Sequence, residues 1–340
     1  MKQIAVADIR EKPAKKPRNY RVDNIRFILI FLIIFGHFLE TFEGPIKQNI
    51  YTIIYSFHIP AFMFLSGLYA SFSPQKILRR YVLTYLVFQI IYTAFDAFIY
   101  GHSVSFQFST PYWLLWYLMA LSFYELLIPT IDHFTPRKLI IGTFCIAILV
   151  GVDVSISMYL TLSRTLVFFP FFILGYVGKE NGIERVLNFF TGKKRRLLDC
   201  ACVLIALLEI GFMFIEFPER TLYGSYAYGL SLYGAGIRIG FFVCALLWLL
   251  VLFASIPNKS IRFLSKAGGS TMCAYLLHGF VKIFIQKYQI MCFPETVNIL
   301  LCLGGALVLV FFCSFLSGTY KKAIIRWRKQ SERETIPKEE

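Results

Sequence analysis

Charged residues are scarce in this sequence: Asp, Glu, Lys and Arg make up 16% of its 340 residues, against about 25% in a soluble domain. A chain so poor in charge does not present an aqueous surface on all sides. Acidic residues are scarcer still, 20 against 35 basic ones, for a formal charge of +15. In a soluble protein that balance would point to nucleic acid. Here Lys and Arg gather between apolar stretches and at both ends, so no nucleic-acid partner is expected. Cysteines number 8 and histidines 5, with no CxxC pair and no His at metal-ligand spacing. That argues against a metal centre or a disulfide framework, and the cysteines read as small buried side chains. Internal repeats and low-complexity tracts are also missing.

Apolar residues are abundant instead. They form 57% of the chain, 36 of them Phe, with a mean hydropathy of +0.62. The composition is that of an all-α integral membrane protein. A spanning helix needs roughly 20 mostly apolar residues, and ten runs meet or approach that length, near 25–42, 49–72, 81–100, 111–131, 138–154, 157–178, 197–216, 236–256, 268–287 and 296–318. Residues 20–318 therefore read as one polytopic helical bundle without a separate soluble domain. The first run follows a basic tail and has no small-residue cleavage site behind it, so it reads as an uncleaved span.

Residues 1–19 are charged and carry two prolines, and 319–340 are basic and end in TIPKEE. Both read as basic cytoplasmic tails, the first and the TIPKEE end disordered. The loops near 73–80, 132–137, 179–196 and 257–267 are also basic, whereas GHSVSFQFST has neither Lys nor Arg. This asymmetry predicts a cell-membrane protein with both termini in the cytoplasm.

A charged side chain at the bilayer centre costs roughly 2.5–3.5 kcal/mol on insertion scales, so each one needs a partner, a wet cavity or a function. His37 sits inside NIRFILIFLIIFGHFLE, 11 positions after Arg26. At about 1.5 Å per residue that is roughly 16 Å and close to three turns, which places Arg26 at the inner interface and His37 above it on the same face near mid-membrane. His58, just before Pro60, and His278 in AYLLHGF are expected at similar depth, in one polar chamber. Arg164 and Arg238 read as outer-half residues able to meet an anionic or hydroxyl-rich ligand. For Asp96, Glu125 and Glu209 pairing or snorkelling is the simpler reading, and packing remains an alternative for each histidine. Lys76, Arg79 and Arg80 in SPQKILRRY either bind a ligand or only hold the orientation.

Several stretches together resemble the family 3 membrane acyltransferases: Arg21-Val22-Asp23-Asn24-Ile25-Arg26 with His37 beyond it, FHIPAFMFLSG, KILRRY, PYWLLWYL, FPFFILGY and GGSTMCAYLLHG. They cover 20 to about 318 in family order, and SRTLVFFPFFILGY resembles the fucose 4-O-acetylase-like subgroup. The resemblance implies transfer of an acyl group, usually acetyl, from cytoplasmic acetyl-CoA to a sugar hydroxyl of a surface polysaccharide or its lipid-linked precursor, in a bacterial cell membrane. In that reading His37 is the general base. Arg26 meets the CoA phosphates or the thioester oxyanion, and Lys76, Arg79 and Arg80 bind CoA. His58, Trp113, Arg164, Arg238 and His278 contact the acceptor, while Asp23 and Ser66 are structural supports. Many relatives carry an extra extracytoplasmic hydrolase-like domain, and none is expected here, so transfer would finish in the membrane domain or on a separate polysaccharide-assembly protein. Direct attack on the thioester and a brief acetyl-histidine both remain open. So do two non-enzymatic readings: a transporter of a lipid-linked sugar or small anion, and a scaffold within an assembly complex.

Overall fold

The computed structural model describes residues 18–153, 155–156, 159–179, 195–214, 222–225 and 227–334. Of the tail 1–19 expected to be disordered, 1–17 lie outside the described residues, as do 335–340 and most of the basic loop 179–196, while Arg18 and Asn19 are bonded to Asp23 and Val22. Within them the chain is all helix and turn. In chain order the helices are α1 (Tyr20–Leu39), α2 (Pro45–Leu68), α3 (Pro74–Tyr100), α4 (Trp113–Ile131), α5 (Pro136–Leu149), α6 (Leu162–Val177), α7 (Arg195–Phe214), α8 (Leu232–Ser255), α9 (Arg262–Gly268), α10 (Thr271–Lys287) and α11 (Glu295–Glu334).

Seven of these, α1, α2, α3, α4, the stretch Tyr159–Val177 that contains α6, α8 and the Glu295–Tyr320 part of α11, are long and apolar enough to cross a membrane. The other three expected spans appear as shorter or more charged helices. α5 has 14 residues, and α7 carries Arg195, Arg196, Asp199 and Glu209. The ninth run begins where α9 ends at Gly268, and its helix, α10, starts only at Thr271 and has 17 residues. Helix also continues past 318 as far as Glu334, so the segment expected as a tail begins as an extension of α11.

α1 occupies the interior. Its most apolar window is 72% buried, against 22% for α3 and 28% for α11, as expected of a helix that is apolar all round. Asn19 caps its start by accepting from the Val22 N–H at 3.3 Å, and Asp23 complements the dipole in the first turn. The same turn fastens the chain following α8. Asn24 donates to the carbonyls of Pro257 (3.3 Å) and Lys259 (3.0 Å) and accepts from Ser265 (2.7 Å), while Arg21 donates to the Ile256 carbonyl at 2.8 Å. Gly268 lies against the backbone of Asp23 so closely that an added Cβ would sit 1.8 Å from its carbonyl oxygen. The motifs around Asp23 and Gly268 are thus two halves of one joint. Gly318 of α11 faces Lys266 on the same side, so the start of α1 and the end of the apolar part of α11 share one side of the bundle.

α2 and α6 form the most extensive helix pair, and it depends on two glycines. A Cβ on Gly67 would lie 2.0 Å from the Phe172 carbonyl oxygen, and one on Gly175 would lie 2.0 Å from that of Phe64. Small residues let helix backbones approach in a membrane, where no hydrophobic force pulls apolar helices together. Gly175→Val is therefore expected to lower stability by about 1–3 kcal/mol, read as a lower thermal unfolding midpoint in detergent, while Gly142→Ala, with open space around its Cβ position, is expected to leave it unchanged.

Candidate active site

Three cavities with polar linings lie in the interior. The central one, about 210 Å³, is lined by His37 and Ile33 of α1, by Tyr55, His58 and Phe62 of α2, and by Trp113, Arg164 and Tyr223 among others. A second, about 270 Å³, borders Trp113, Trp116 and Arg164 together with Thr110, Thr161 and Ser225. The third, about 320 Å³, lies near the start of α1 and is lined by Arg26, Ser66, Tyr69, Lys76, Arg80 and the segment Gly268–Cys273. The central cavity shares Phe62, Tyr117 and Tyr275 with the third and shares Trp113, Trp116 and Arg164 with the second. The three form a row, with His37 in the middle compartment.

α1 ends two residues after His37, so the imidazole sits in the last turn of its helix. His58 and His278 occupy the middle of α2 and α10 and still meet it. The His37 and His278 rings stack at 5.3 Å between centroids, Trp113 presents an edge to His37 at 4.4 Å, and Tyr55 lies edge-on to His58 at 4.5 Å. His37 and His58 line the central cavity, whereas His278, expected in the same chamber, lines none of the three. His278 lies behind His37, buried and bonded through Nδ1 to the Ala274 carbonyl at 3.2 Å.

Glu40, the C-cap of α1, organises this group. Its Oε1 accepts from Tyr55 at 2.5 Å and faces His37 Nδ1 at 3.1 Å, with Tyr223 at 3.3 Å and Tyr51 at 3.4 Å. Lys282 of α10 donates to Oε2 and lies 3.9 Å over the Trp113 ring. The Lys282 ammonium on one oxygen and the tyrosine hydroxyls on the other favour the ionised carboxylate. An ionised carboxylate only accepts, so the His37 ring proton belongs on Nδ1 and the lone pair on Nε2. Sequence reasoning missed both Glu40 and Lys282. The signals were in plain view: Glu40 stands three residues after His37, the same spacing as Asp23 to Arg26, and Lys282 stands four after His278.

The other expected site residues divide by place. Arg26, Lys76, Arg80 and Ser66 line the third cavity. Arg79 does not; it is exposed beside Arg80 in the π-helical segment Ile77–Val82 of α3. Lys76 pairs with Glu125 at 2.7 Å, and Tyr81 donates to the same oxygen at 3.0 Å. Asp23 binds Arg18 at 2.6 Å and Arg26 more loosely at 3.8 Å, while the Arg26 guanidinium lies 4.4 Å over the Tyr69 ring. Ser66 is tied to Tyr117 at 2.5 Å. Arg238 is fully buried on α8, 5.6 Å over the Tyr228 ring, and borders none of the three cavities. Asp96 pairs with His102 at 3.0 Å and Tyr112 at 2.8 Å, and Glu209 accepts from Ser56 at 2.5 Å and Trp248 at 3.1 Å. No group of three or more His, Cys, Asp or Glu poised for a metal occurs among the described residues.

Chemically, the centre offers an imidazole oriented by a carboxylate, with cations on both sides. The family model described as acyltransferase domain matches residues 19–318. No curated protein and no solved structure matches the chain.

Glu40→Gln removes the anion that fixes the His37 tautomer and leaves Lys282 without its counter-ion. Acyl transfer is expected to fall at least about tenfold, with the His37 ¹⁵N resonances changing from a single tautomer to a mixture; wild-type turnover in the variant would disprove the orienting role.

Proposed function

The chain belongs to the family 3 membrane acyltransferases, and from that premise we propose that it is an O-acetyltransferase that moves an acetyl group from cytoplasmic acetyl-CoA to a sugar hydroxyl on the opposite side. The observation that carries this reading is the row of three cavities, with the histidine in the compartment between a basic cavity and a hydroxyl-lined one.

In this reading the cavity of Arg26, Lys76 and Arg80 faces the cytoplasm, consistent with the basic loops on that side. Guanidinium and ammonium groups suit the phosphates of CoA. Lys76 already has Glu125 as counter-ion, so Arg26 and Arg80 contribute most of the net positive charge there. Arg26 and His37 are 11 residues apart on one helix, about 16 Å, and the thioester at the end of the long pantetheine arm is suited to cross that separation past Phe62, Tyr117 and Tyr275. The acceptor enters from the compartment of Trp113, Trp116 and Arg164. Its hydroxyl is a poor nucleophile, and His37 Nε2 takes the proton as oxygen attacks the thioester carbon. The C–S bond then breaks, and the proton passes from the imidazolium to the departing CoA sulfur. If the acetyl group rests first on the imidazole, the same Nε2 is the atom acylated and the hydroxyl attacks in a second step. A surface polysaccharide or its lipid-linked precursor is the acceptor class consistent with a site open away from the cytoplasm.

His37→Ala is expected to lower transfer by about 10²–10⁴-fold at normal protein abundance. Mass spectrometry of surface glycan from wild-type, deletion and His37→Ala strains is the test: the mass of one acetyl group per modified sugar should be present only in the wild type, and its persistence in the deletion strain would refute the proposal. Arg26→Ala is expected to raise the KM for acetyl-CoA about tenfold, the loss of one charge-assisted hydrogen bond, measured by CoA release in detergent.

A further inference from the structure

Arg164 is the least compensated cation of the site. It stands in the first turn of α6 on the wall shared by the central and second cavities. No Asp or Glu lines either cavity, and among the described residues no carboxylate lies within ion-pair distance of the guanidinium. Its Nε is buried and has no hydrogen-bond partner, and the charge lies between the rings of Trp116 (5.3 Å) and Tyr223 (5.7 Å). Glu40, the nearest acidic group of the chamber, is already committed to Lys282, His37 and the tyrosines. A buried charge without a partner is costly, and proteins retain one where a ligand completes it.

Two further features point the same way. Thr161, the N-cap of α6, makes no side-chain cap bond, so the positive end of a 16-residue helix lies beside the same cavity. Trp113 and Thr161, both lining it, are two of the four non-glycine residues at positive φ among the described residues, at 23° and 55°. Such strain is retained where the surrounding structure holds a residue in place for a purpose.

We propose that the second cavity is an anion-selective acceptor site: Arg164, with the start of α6, binds a carboxylate or phosphate carried by the acceptor sugar, and thereby places a neighbouring hydroxyl toward His37. This rests on the acyltransferase reading for its purpose, but not for its test. A fork of guanidinium N–H groups fits a carboxylate or phosphate better than a neutral hydroxyl, so the substrate class is an acidic or phosphorylated sugar.

The test measures binding without acyl-CoA. The full chain in detergent is titrated with methyl β-D-glucuronide, glucose 1-phosphate and methyl β-D-glucoside, with quenching of tryptophan fluorescence as the readout, since Trp113 and Trp116 border the site. At least one anionic probe is expected to bind about tenfold or more tightly than the glucoside, and which of the two does so separates carboxylate from phosphate. Arg164→Gln should erase that preference without lowering the unfolding midpoint, while Arg164→Lys should restore part of it. Equal binding of all three probes by the wild type, no saturable binding of either anion, or a preference that survives in Arg164→Gln would each overturn the proposal. The wild-type comparison stands even if the variants do not fold. If instead Arg164 serves the thioester oxygen, Arg164→Gln will slow transfer to charged and neutral acceptors equally with no change in probe preference, which also overturns it. Because no acyl group is involved in the binding arm, its failure is distinct from an absence of glycan acetylation.

Discussion

The ion pair between Glu40 and Lys282 holds the centre of this protein together, and the geometry of the site depends on it. It joins the end of α1 to α10, and through its other oxygen it gathers His37, Tyr55, Tyr51 and Tyr223. A carboxylate in such surroundings is tolerable only when its lone pairs are taken, and here each oxygen has a close donor. The arrangement has a chemical consequence as well as a structural one. A histidine that shared the space with a free lysine and arginine would have an undefined tautomer. With an ionised acceptor fixed at Nδ1, the lone pair is committed to Nε2.

At its other end α1 is held by different means. Arg21 and Asn24 are satisfied by the backbone of 256–259 and by Ser265, and Gly268 permits contact with Asp23 at backbone distance. The helix is therefore anchored twice, at the turn that carries Arg26 and at the turn that carries His37. Neither residue can shift along the bundle axis without breaking bonds to a neighbouring segment. That rigidity matters because a site built between two compartments works only if the distance between its ends is fixed.

Much of this was legible in the sequence. The apolar runs announced the helices, and the spacing of Arg26 and His37 announced their common face, because both signals depend on period and depth alone. The place of His37 within its helix was less legible. An apolar run extends past the end of its helix, and hydropathy does not mark that α1 stops at Leu39. Arg79 and Arg80 were inseparable as neighbouring letters, since only the local helix type and packing decide which one faces inward. Arg238 poses the same difficulty: a buried arginine on an apolar helix reads alike whether it borders a cavity or lies over a tyrosine ring. Glu40 was overlooked because it lies at the margin of a predicted span, where an acidic residue needs no explanation. Only the long-range approach of Lys282, 242 positions away, turns it into the centre of the site.

The balance of charge in the two inner compartments carries the argument one step further. Arg164 lines both, and beside them, bordering neither, stand one carboxylate, Glu40, and a second permanent cation, Lys282. The excess is positive and sits beside the histidine. In the proposed reaction, attack of a hydroxyl on a thioester would place negative charge on the former carbonyl oxygen, and a pre-formed positive surrounding of low polarity would stabilise that charge without having to reorganise. A second, permanent anion on the acceptor would neutralise Arg164 on binding and exclude water from the chamber. The same excess charge thus favours both the arrival of an acidic acceptor and the transition state that follows, provided the two anions occupy different walls. The geometry allows this, because Lys282 lies against Trp113 while Arg164 lies between Trp116 and Tyr223.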